Sequence, residues 1–227
     1  MTAPLAGVRA LLFDFGGTLD AEGLPWKERF LRISLEEGLE APAAEFDRAF
    51  YGATDSLEGT IPRSAGLRET VDRVASGMAS RLARDPELLR RIGDRFAEDS
   101  RRHLAASAAL FSRLSQRYRL GIVSNFYGNI GAVCEEAGLS PFLGAAVDST
   151  IVGCKKPDPR IFQAALDGLG VSSGETVFVG DSLRRDMAGA RAMGMRHVWL
   201  RAGSEDAPCC PGDAVIARLA ELEDFAP

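Results

Sequence analysis

Four short segments of the sequence combine carboxylates with glycines, hydroxyls and lysine. They are Asp14 to Thr18, Ser124-Asn125, Lys155-Lys156-Pro157, and Asp181 to Asp186. Carboxylates that converge on one point repel one another unless a cation neutralises them, and hard oxygen ligands suit Mg²⁺. A carboxylate that faces a substrate can act as a nucleophile. A lysine, a hydroxyl and the N–H groups of a glycine turn can hold the charge of a transferring phosphoryl group. The set predicts phosphoryl transfer through an aspartyl phosphate.

Apolar runs precede three of these segments and predict where the polar residues lie. Buried strands are predicted at Val8–Phe13, Leu120–Val123 and Thr176–Val179, and each is followed directly by one of the polar segments. Ligands of open α/β sheets bind outside the carboxyl ends of the strands. We therefore expect the four segments to meet at one edge of a sheet.

The elements that must position these segments fall into two groups. From residue 106 onward, strands alternate with helices, which is typical of a parallel sheet covered on both faces. Residues 20–105 carry only helical periodicity. The helices predicted there are Trp26–Glu37, Ala43–Tyr51, Gly66–Leu82 and Pro86–Leu104, the last capped by Asp85. Later helices include Ala106–Tyr118 and Ala214–Leu222. We predict an α/β core of residues 1–19 and 106–227 with a helical insertion of residues 20–105 covering the ligand edge.

Composition restricts the classes of partner. The 227 residues are 46% hydrophobic and carry 27 Lys and Arg against 32 Asp and Glu, a formal charge of −5. This acidic balance argues against binding to nucleic acid or to an anionic membrane surface. The longest apolar run is far shorter than the ~20 residues of a membrane span. No signal peptide is visible, and four cysteines without a CxxC pair suit a reduced, cytoplasmic protein. The oligomeric state does not follow from the sequence.

The polar segments also resemble the motifs of a known family. Asp14 to Leu19 resembles the first motif of the haloacid dehalogenase (HAD) superfamily, and Val123-Ser124-Asn125 resembles the second. Lys156 to Phe162 resembles the third motif, and Gly180-Asp181-Ser182 with Asp186 resembles the fourth. All four occur in the family's order. The resemblance implies a Rossmann-like, three-layer parallel-sheet core, with the helical insertion in the position of the family's α-helical cap.

The resemblance implies roles for the motif side chains. Asp14 is expected to be the nucleophile, and Thr18 to orient its loop. Ser124 is expected to bind a phosphoryl oxygen. Lys156 is expected to pair with Asp14 and the phosphoryl group, because it directly precedes Pro157 as the family lysine does. Lys155 is its solvated neighbour.

The resemblance also implies Mg²⁺ as the cofactor and a small phosphorylated or otherwise anionic substrate. The expected metal ligands are Asp14, the carbonyl of Gly16, Asp181 and, through water or at one remove, Asp186. Substrate contacts are expected from Gly17, Asn125 and Arg63; Arg63 is chosen because it lies in a loop, and loops carry binding residues more often than helix faces do.

Gly16 departs from the family pattern. Typical HAD phosphatases carry a second Asp two positions after the nucleophile as general acid/base, a role that contributes about 10²–10⁴-fold to the rate. Three interpretations stay open: a Mg²⁺-dependent phosphatase, another HAD chemistry such as dehalogenation or phosphotransfer, and a catalytically impaired binding or regulatory protein. The presence of Asp181 and Asp186 favours the metal-dependent reaction. Asp20 and Tyr127, which could replace the acid, are better explained as a turn carboxylate and a packing residue.

Overall fold

The computed structural model describes residue 5, residues 7–201 and residues 214–225. Its centre is a sheet of six parallel strands in the order β3-β2-β1-β4-β5-β6. The strands are β1 (Ala10–Phe13), β2 (Arg119–Ser124), β3 (Leu143–Asp148), β4 (Thr176–Gly180), β5 (Arg196–Leu200) and β6 (Ala214–Ile216). The predicted α/β class with a parallel sheet is confirmed. Cys209 and Cys210 lie outside the described residues.

Strand β1 lies in the middle of the sheet, paired with β2 on one side and β4 on the other. Its four residues are all buried. Because successive side chains of a strand point to opposite faces, Leu11 and Phe13 join the apolar cluster on one face of the sheet, whereas Ala10 and Leu12 join the cluster on the other. An uninterrupted apolar run is typical of a strand covered on both faces, so this short segment takes the central position.

Eight α-helices lie within the described residues. They are α1 (Trp26–Glu36), α2 (Ala43–Asp55), α3 (Leu67–Leu82), α4 (Pro86–Leu114), α5 (Ile130–Glu136), α6 (Ser149–Val152), α7 (Pro159–Leu169) and α8 (Ala188–Ala192). None of these helices is long and apolar enough to cross a membrane. Helices α1 to α4 follow β1 directly, and we call residues 26–114 the helical insertion.

The helical insertion shares its apolar core with one face of the sheet. Phe30 stacks on Phe96 with ring centroids 4.2 Å apart, and Trp26 meets the same ring edge-on at 5.0 Å. Farther along α4, Phe111 packs on Phe13 of β1 at 4.8 Å. These rings belong to one continuous cluster of buried side chains. The burial of apolar surface therefore holds the helical insertion against the sheet.

Helix α4 is longer than the sequence pattern predicts. It begins at Pro86, where the side chain of Asp85 accepts a hydrogen bond from the Glu87 N–H at 3.0 Å, and it continues without a break to Leu114. The prediction of two helices that meet at residue 105 is therefore wrong, and the predicted start of the second core segment lies inside this helix. Residues 105–109 are alanines and one serine, which blur the apolar periodicity, but alanine is the strongest helix former.

The C-terminal segment differs from the prediction as well. The predicted helix Ala214–Leu222 is wrong, because residues 214–216 form β6 and only residues 219–225 turn, as a 3₁₀ helix. Val215 lies opposite Trp199 in the parallel pairing of β6 with β5. β-Branched residues such as Val215 and Ile216 fit a strand well. The strand forms because β5 offers its edge for backbone hydrogen bonds, and the local sequence pattern does not show this distant partner.

Candidate active site

Three neighbouring strands place the polar segments at one edge of the sheet. Asp14 directly follows β1, Ser124 ends β2, and Asp181 directly follows β4. The central pairing of β1 with β2 and β4 puts the three carboxyl ends side by side. Lys156 arrives from the loop after α6, and its backbone N–H donates to the Asn125 side chain at 2.7 Å. The topology therefore brings residues separated by more than 160 positions in sequence into one site.

Lys156 lies between two carboxylates. Its Nζ is 2.5 Å from Asp14 Oδ1 and 2.8 Å from Asp186 Oδ1. The side chains of all three residues are buried. Burial by itself would lower the pKa of Lys156, but the charges of Asp14 and Asp186 raise it above its ordinary value. The ammonium group therefore keeps its charge and balances part of the negative charge at this edge.

Three carboxylates converge beside this lysine. Oxygens of Asp14, Asp181 and Asp186 lie within 4.8 Å of one another. Thr18 Oγ1 donates to Asp181 Oδ1 at 2.9 Å, whereas the buried Oδ2 of Asp181 has no hydrogen-bond partner among the described residues. Burial, followed by the charges of Asp14 and Asp186, raises the pKa of Asp181 well above its ordinary value. A buried, unpartnered oxygen in a set of hard oxygen donors fits a Mg²⁺ ion.

Gly17 makes a close approach that a larger residue would block. Its φ is +93°, and a Cβ there would lie 2.8 Å from Asp181 Oδ2. Its N–H donates to Asp20 Oδ1 at 2.7 Å. The glycine therefore lets the loop after β1 pass directly beside a carboxylate of the cluster. Gly17 was predicted to contact substrate, and in this structure its N–H is engaged by Asp20.

Asp20 stands in a turn, as the sequence predicted, and its carboxylate is fully buried beneath the site. Its Oδ2 accepts hydrogen bonds from Trp26 Nε1 at 2.8 Å and from Arg29 Nη2 at 2.7 Å. Arg29 Nη2 also donates to Ser100 Oγ at 2.7 Å. We call Asp20, Trp26, Arg29 and Ser100 the Asp20 cluster. It joins the loop after β1 to helices α1 and α4. Its members other than Asp20 belong to no sequence motif that could have indicated them.

Trp26 forms the wall beside Gly16. A Cβ at position 16 would lie 3.2 Å from Trp26 Nε1 and 3.4 Å from its Cδ1. The indole is itself held by Asp20 on one side and meets the ring of Phe126 on another, with centroids 5.9 Å apart. A side chain at residue 16 would therefore crowd the indole, which would have to shift by a few tenths of an ångström against the contacts that hold it.

Asn125 has a positioning role that the sequence did not indicate. Its side-chain amide donates to the Lys156 carbonyl at 3.1 Å, while its Oδ1 accepts from the Lys156 N–H. This reciprocal pair fixes the backbone from which Lys156 reaches Asp14. Ser124 and Asn125 both line the adjoining cavity, so the structure brings both predicted residues to the site.

A cavity of about 350 Å³ opens beside Asp14, between the sheet edge and the helical insertion. Trp26, Phe50 and Tyr51 supply part of its wall from the insertion. The charged residues that line it are Asp14, Lys27, Glu28, Asp55, Glu58, Lys155, Lys156 and Arg185. Arg63, predicted to contact substrate, is exposed in the loop between α2 and α3 and does not line this cavity.

The sequence reasoning missed several residues of the cavity. Lys27, Tyr51 and Arg185 line it, and Lys155 does so while its Nζ donates to Glu58 of the helical insertion. Arg185 and Lys155 carried a usable signal, because each stands inside one of the four polar segments. Burial raises the pKa of Tyr127 above its ordinary value, so this cavity residue keeps its phenolic proton.

Comparisons with known proteins identify the family of this chain. A sequence model described as haloacid dehalogenase-like hydrolase matches residues 8–194. The chain belongs to the haloacid dehalogenase-like hydrolases. Among HAD relatives, the phosphoserine phosphatase of Thermus thermophilus is 33% identical over 94% of this chain and 90% of its own length. The phosphoglycolate phosphatase of Rhodospirillum rubrum is 31% identical over 96% and 88%.

Solved structures share the fold of this HAD hydrolase. A HAD hydrolase of Bacillus subtilis, solved bound to magnesium, covers 96% of this chain and 98% of its own, with a TM-score of 0.61 and 24% identity. At this identity the likeness concerns the fold. The fold class predicted from the four motifs, and the membership of the family, are confirmed.

Proposed function

We propose that this HAD hydrolase is a Mg²⁺-dependent phosphatase of a small phosphorylated metabolite, acting through an aspartyl phosphate on Asp14. The observation that carries the proposal is the position of Asp14, a carboxylate at the end of the central strand that borders the cavity and contacts Lys156. Two relatives that align over most of this chain are phosphatases by name, which supports the same reaction type.

The proposed reaction has two displacements at phosphorus. An oxygen of Asp14 forms a bond to the phosphorus while the bond to the leaving oxygen breaks, and the leaving group takes the electron pair. The departed oxygen takes a proton from solvent. Water then forms a bond to phosphorus and releases a proton to solvent, the bond to Asp14 breaks, and the carboxylate is restored as phosphate leaves. Lys156 holds Asp14 in place at 2.5 Å, and its positive charge is available to the phosphoryl oxygens. Ser124, at the end of the neighbouring strand, is proposed to donate a hydrogen bond to one of them.

Mg²⁺ is proposed to lie on the carboxylate cluster. Asp14 and Asp181 would bind it directly with the Gly16 carbonyl, and Asp186 would act through water or at one remove. A bound Mg²⁺ would offset the charge of the carboxylates and of the phosphoryl group. Thr18 has a separate task, since its hydroxyl donates to Asp181 Oδ1 at 2.9 Å and so orients that carboxylate.

The helical insertion is proposed to act as a cap that selects the substrate. It contributes apolar rings and charged side chains to the cavity, whereas the sheet edge contributes the reacting groups. Because glycine has no side chain, residue 16 supplies no proton to a leaving group. We therefore propose that phosphate esters with weakly basic leaving groups, such as aryl phosphates, are turned over faster than alkyl phosphates.

Phosphate release from p-nitrophenyl phosphate and from a panel of sugar and nucleotide phosphates tests the function. The assay is run with Mg²⁺, with EDTA, and with the Asp14→Asn variant. Asp72→Asn, which removes an exposed carboxylate of α3, is the matched control. We expect metal-dependent turnover that Asp14→Asn removes and Asp72→Asn retains. Turnover that survives in Asp14→Asn would show that the nucleophile assignment is wrong, and silence across the panel would favour a binding or regulatory protein.

A further inference from the structure

Arg185 lies on an irregular turn next to the carboxylate cluster. Residues 183–187 wind as a single π-helical turn before α8 begins at Ala188. π-Helical turns are rare and are found frequently at functional sites. The Arg185 N–H and Nε each lie 3.3 Å from Ser182 Oγ, so the serine hydroxyl accepts both hydrogen bonds. The turn therefore directs this side chain back toward the strand end that carries Asp181, and Arg185 lines the cavity with Asp14.

Among the residues that the structure describes, Arg185 differs from the other cations of the cavity because no carboxylate is paired with it. Lys156 is paired with Asp14 and Asp186, Lys155 with Glu58, and Lys27 with Asp47 at 3.3 Å. Within the described part of the chain, Arg185 has no carboxylate oxygen within 4 Å. Its charge is nonetheless exposed to the field of Asp14, Asp186 and Asp181. A guanidinium that borders this cluster without pairing to it is available to a ligand in the cavity.

The charge of the site explains which ligand such a cation would serve. The three carboxylates and Lys156 leave two negative charges, which a divalent cation would offset. A phosphoryl dianion then brings two more negative charges into the cavity. Arginine presents donors in a planar fork that matches phosphate oxygens, and such charge-assisted pairs are stronger than neutral hydrogen bonds. Lys155 is already engaged with Glu58.

We propose that Arg185 is a phosphoryl-binding residue, whose guanidinium donates hydrogen bonds to the oxygens of the phosphoryl group held beside Asp14. This inference rests on the proposed function for its biological meaning. The binding of phosphate by Arg185 can be tested without turnover, because inorganic phosphate carries the same oxygens as a phosphoryl group and undergoes no reaction. Arg184 provides a matched control, since it is the preceding residue of the same turn, is exposed, and does not line the cavity.

The test measures the affinity for inorganic phosphate, in the presence of Mg²⁺, by isothermal titration calorimetry. The proteins are the unsubstituted chain, Arg185→Ala, Arg185→Lys and Arg184→Ala. Losing a hydrogen bond to a charged group predicts phosphate binding about 10- to 100-fold weaker in Arg185→Ala. Arg185→Lys should recover part of this loss, and Arg184→Ala should stay within about 2-fold of the unsubstituted protein. Circular dichroism and the melting temperature establish that each variant is folded.

The outcomes separate the inference from the proposed function. Phosphate affinity that is unchanged in Arg185→Ala, or absent in the unsubstituted protein, overturns the inference even where turnover is present. A second result also overturns the inference: Arg185→Ala loses affinity only for substrates that carry a second anionic group and binds inorganic phosphate as before. Arg185 would then bind that other group. Arg185-dependent phosphate binding without any metal-dependent turnover supports the inference and contradicts the proposed function.

Discussion

The Asp20 cluster makes a sharp prediction about stability. Asp20 and Arg29 are both fully buried, and the carboxylate accepts hydrogen bonds from the Gly17 N–H at 2.7 Å, from Trp26 and from Arg29. The Asp20→Asn variant removes the negative charge and keeps one accepting oxygen, so its NH₂ group must face either the Gly17 N–H or the donors of Trp26 and Arg29. Arg29 then remains as a buried cation whose nearest other carboxylate, that of Asp99, lies 3.8 Å from its Nη1.

The expected magnitude follows from the burial of the pair. Breaking a buried ion pair by removing one partner costs about 3–5 kcal/mol, because the other charge is left uncompensated. Arg29 keeps its hydrogen bond to Ser100 and its position 3.8 Å from the ring centroid of Phe96, which places the expected loss toward the lower end. For a protein of this length, about 3 kcal/mol corresponds to a melting temperature lower by about 6–12 °C.

Urea unfolding of four proteins measures this loss: the unsubstituted chain, Asp20→Asn, Arg29→Met, and the double variant. We expect each single variant to lose about 3 kcal/mol, and the double variant to lose clearly less than the sum, because coupled residues show interaction energies of about 0.5–3 kcal/mol. Asp72→Asn breaks an exposed pair with Arg68 and should cost less than about 1 kcal/mol. A loss below about 1 kcal/mol for Asp20→Asn, or strictly additive losses, would refute the reasoning.

Three further predictions concern the site. Gly17→Ala should lower kcat at least about 10-fold. Gly38 has a similar φ of +81°, but a Cβ there meets no described atom within 4 Å, so Gly38→Ala should cost only about 1 kcal/mol of backbone strain. Equal activities of the two variants in steady-state assays would contradict this prediction. Mg²⁺ at 100 times its Kd should stabilise the protein by about 2.7 kcal/mol, measured as a higher melting temperature, and Asp181→Asn should lose most of this stabilisation. Full stabilisation of the variant by Mg²⁺ would show that Asp181 is not a metal ligand. Gly16→Asp by itself should change kcat less than about 10-fold. Combined with Trp26→Leu it should approach the ~10²-fold gain of a general acid, measured on esters whose leaving groups differ in basicity. A large gain from the single variant would mean that Trp26 moves freely.

The sequence predicted the fold class and the edge of the sheet that carries the site. Each of the three strand-end motifs follows an apolar run directly, so its position depends on local chain geometry alone. Parallel strands share the direction of their carboxyl ends, and for that reason Asp14, Ser124 and Asp181 meet at one edge once the strands are neighbours. The order of the motifs was sufficient to indicate the family.

Other features depended on which distant segments pack together. Helix α4 continues past the predicted boundary because its apolar face packs on the sheet through Phe111 and on α1 through Phe96. Arg63 and Arg185 belong to the same residue type and are both exposed, and only the path of the backbone decides that Arg185 borders the cavity whereas Arg63 does not.

The support of the site shows the same division. Which residue types lie at the strand ends follows from the local pattern of apolar and polar residues. The hydrogen bonds that Asp20 accepts from Trp26 and Arg29, and the contact of Arg29 with Ser100, 71 residues farther along the chain, depend on the packing of α1 and α4. A buried charge needs a partner that is close in space, and that partner can lie at any distance along the chain, so residue spacing does not predict it.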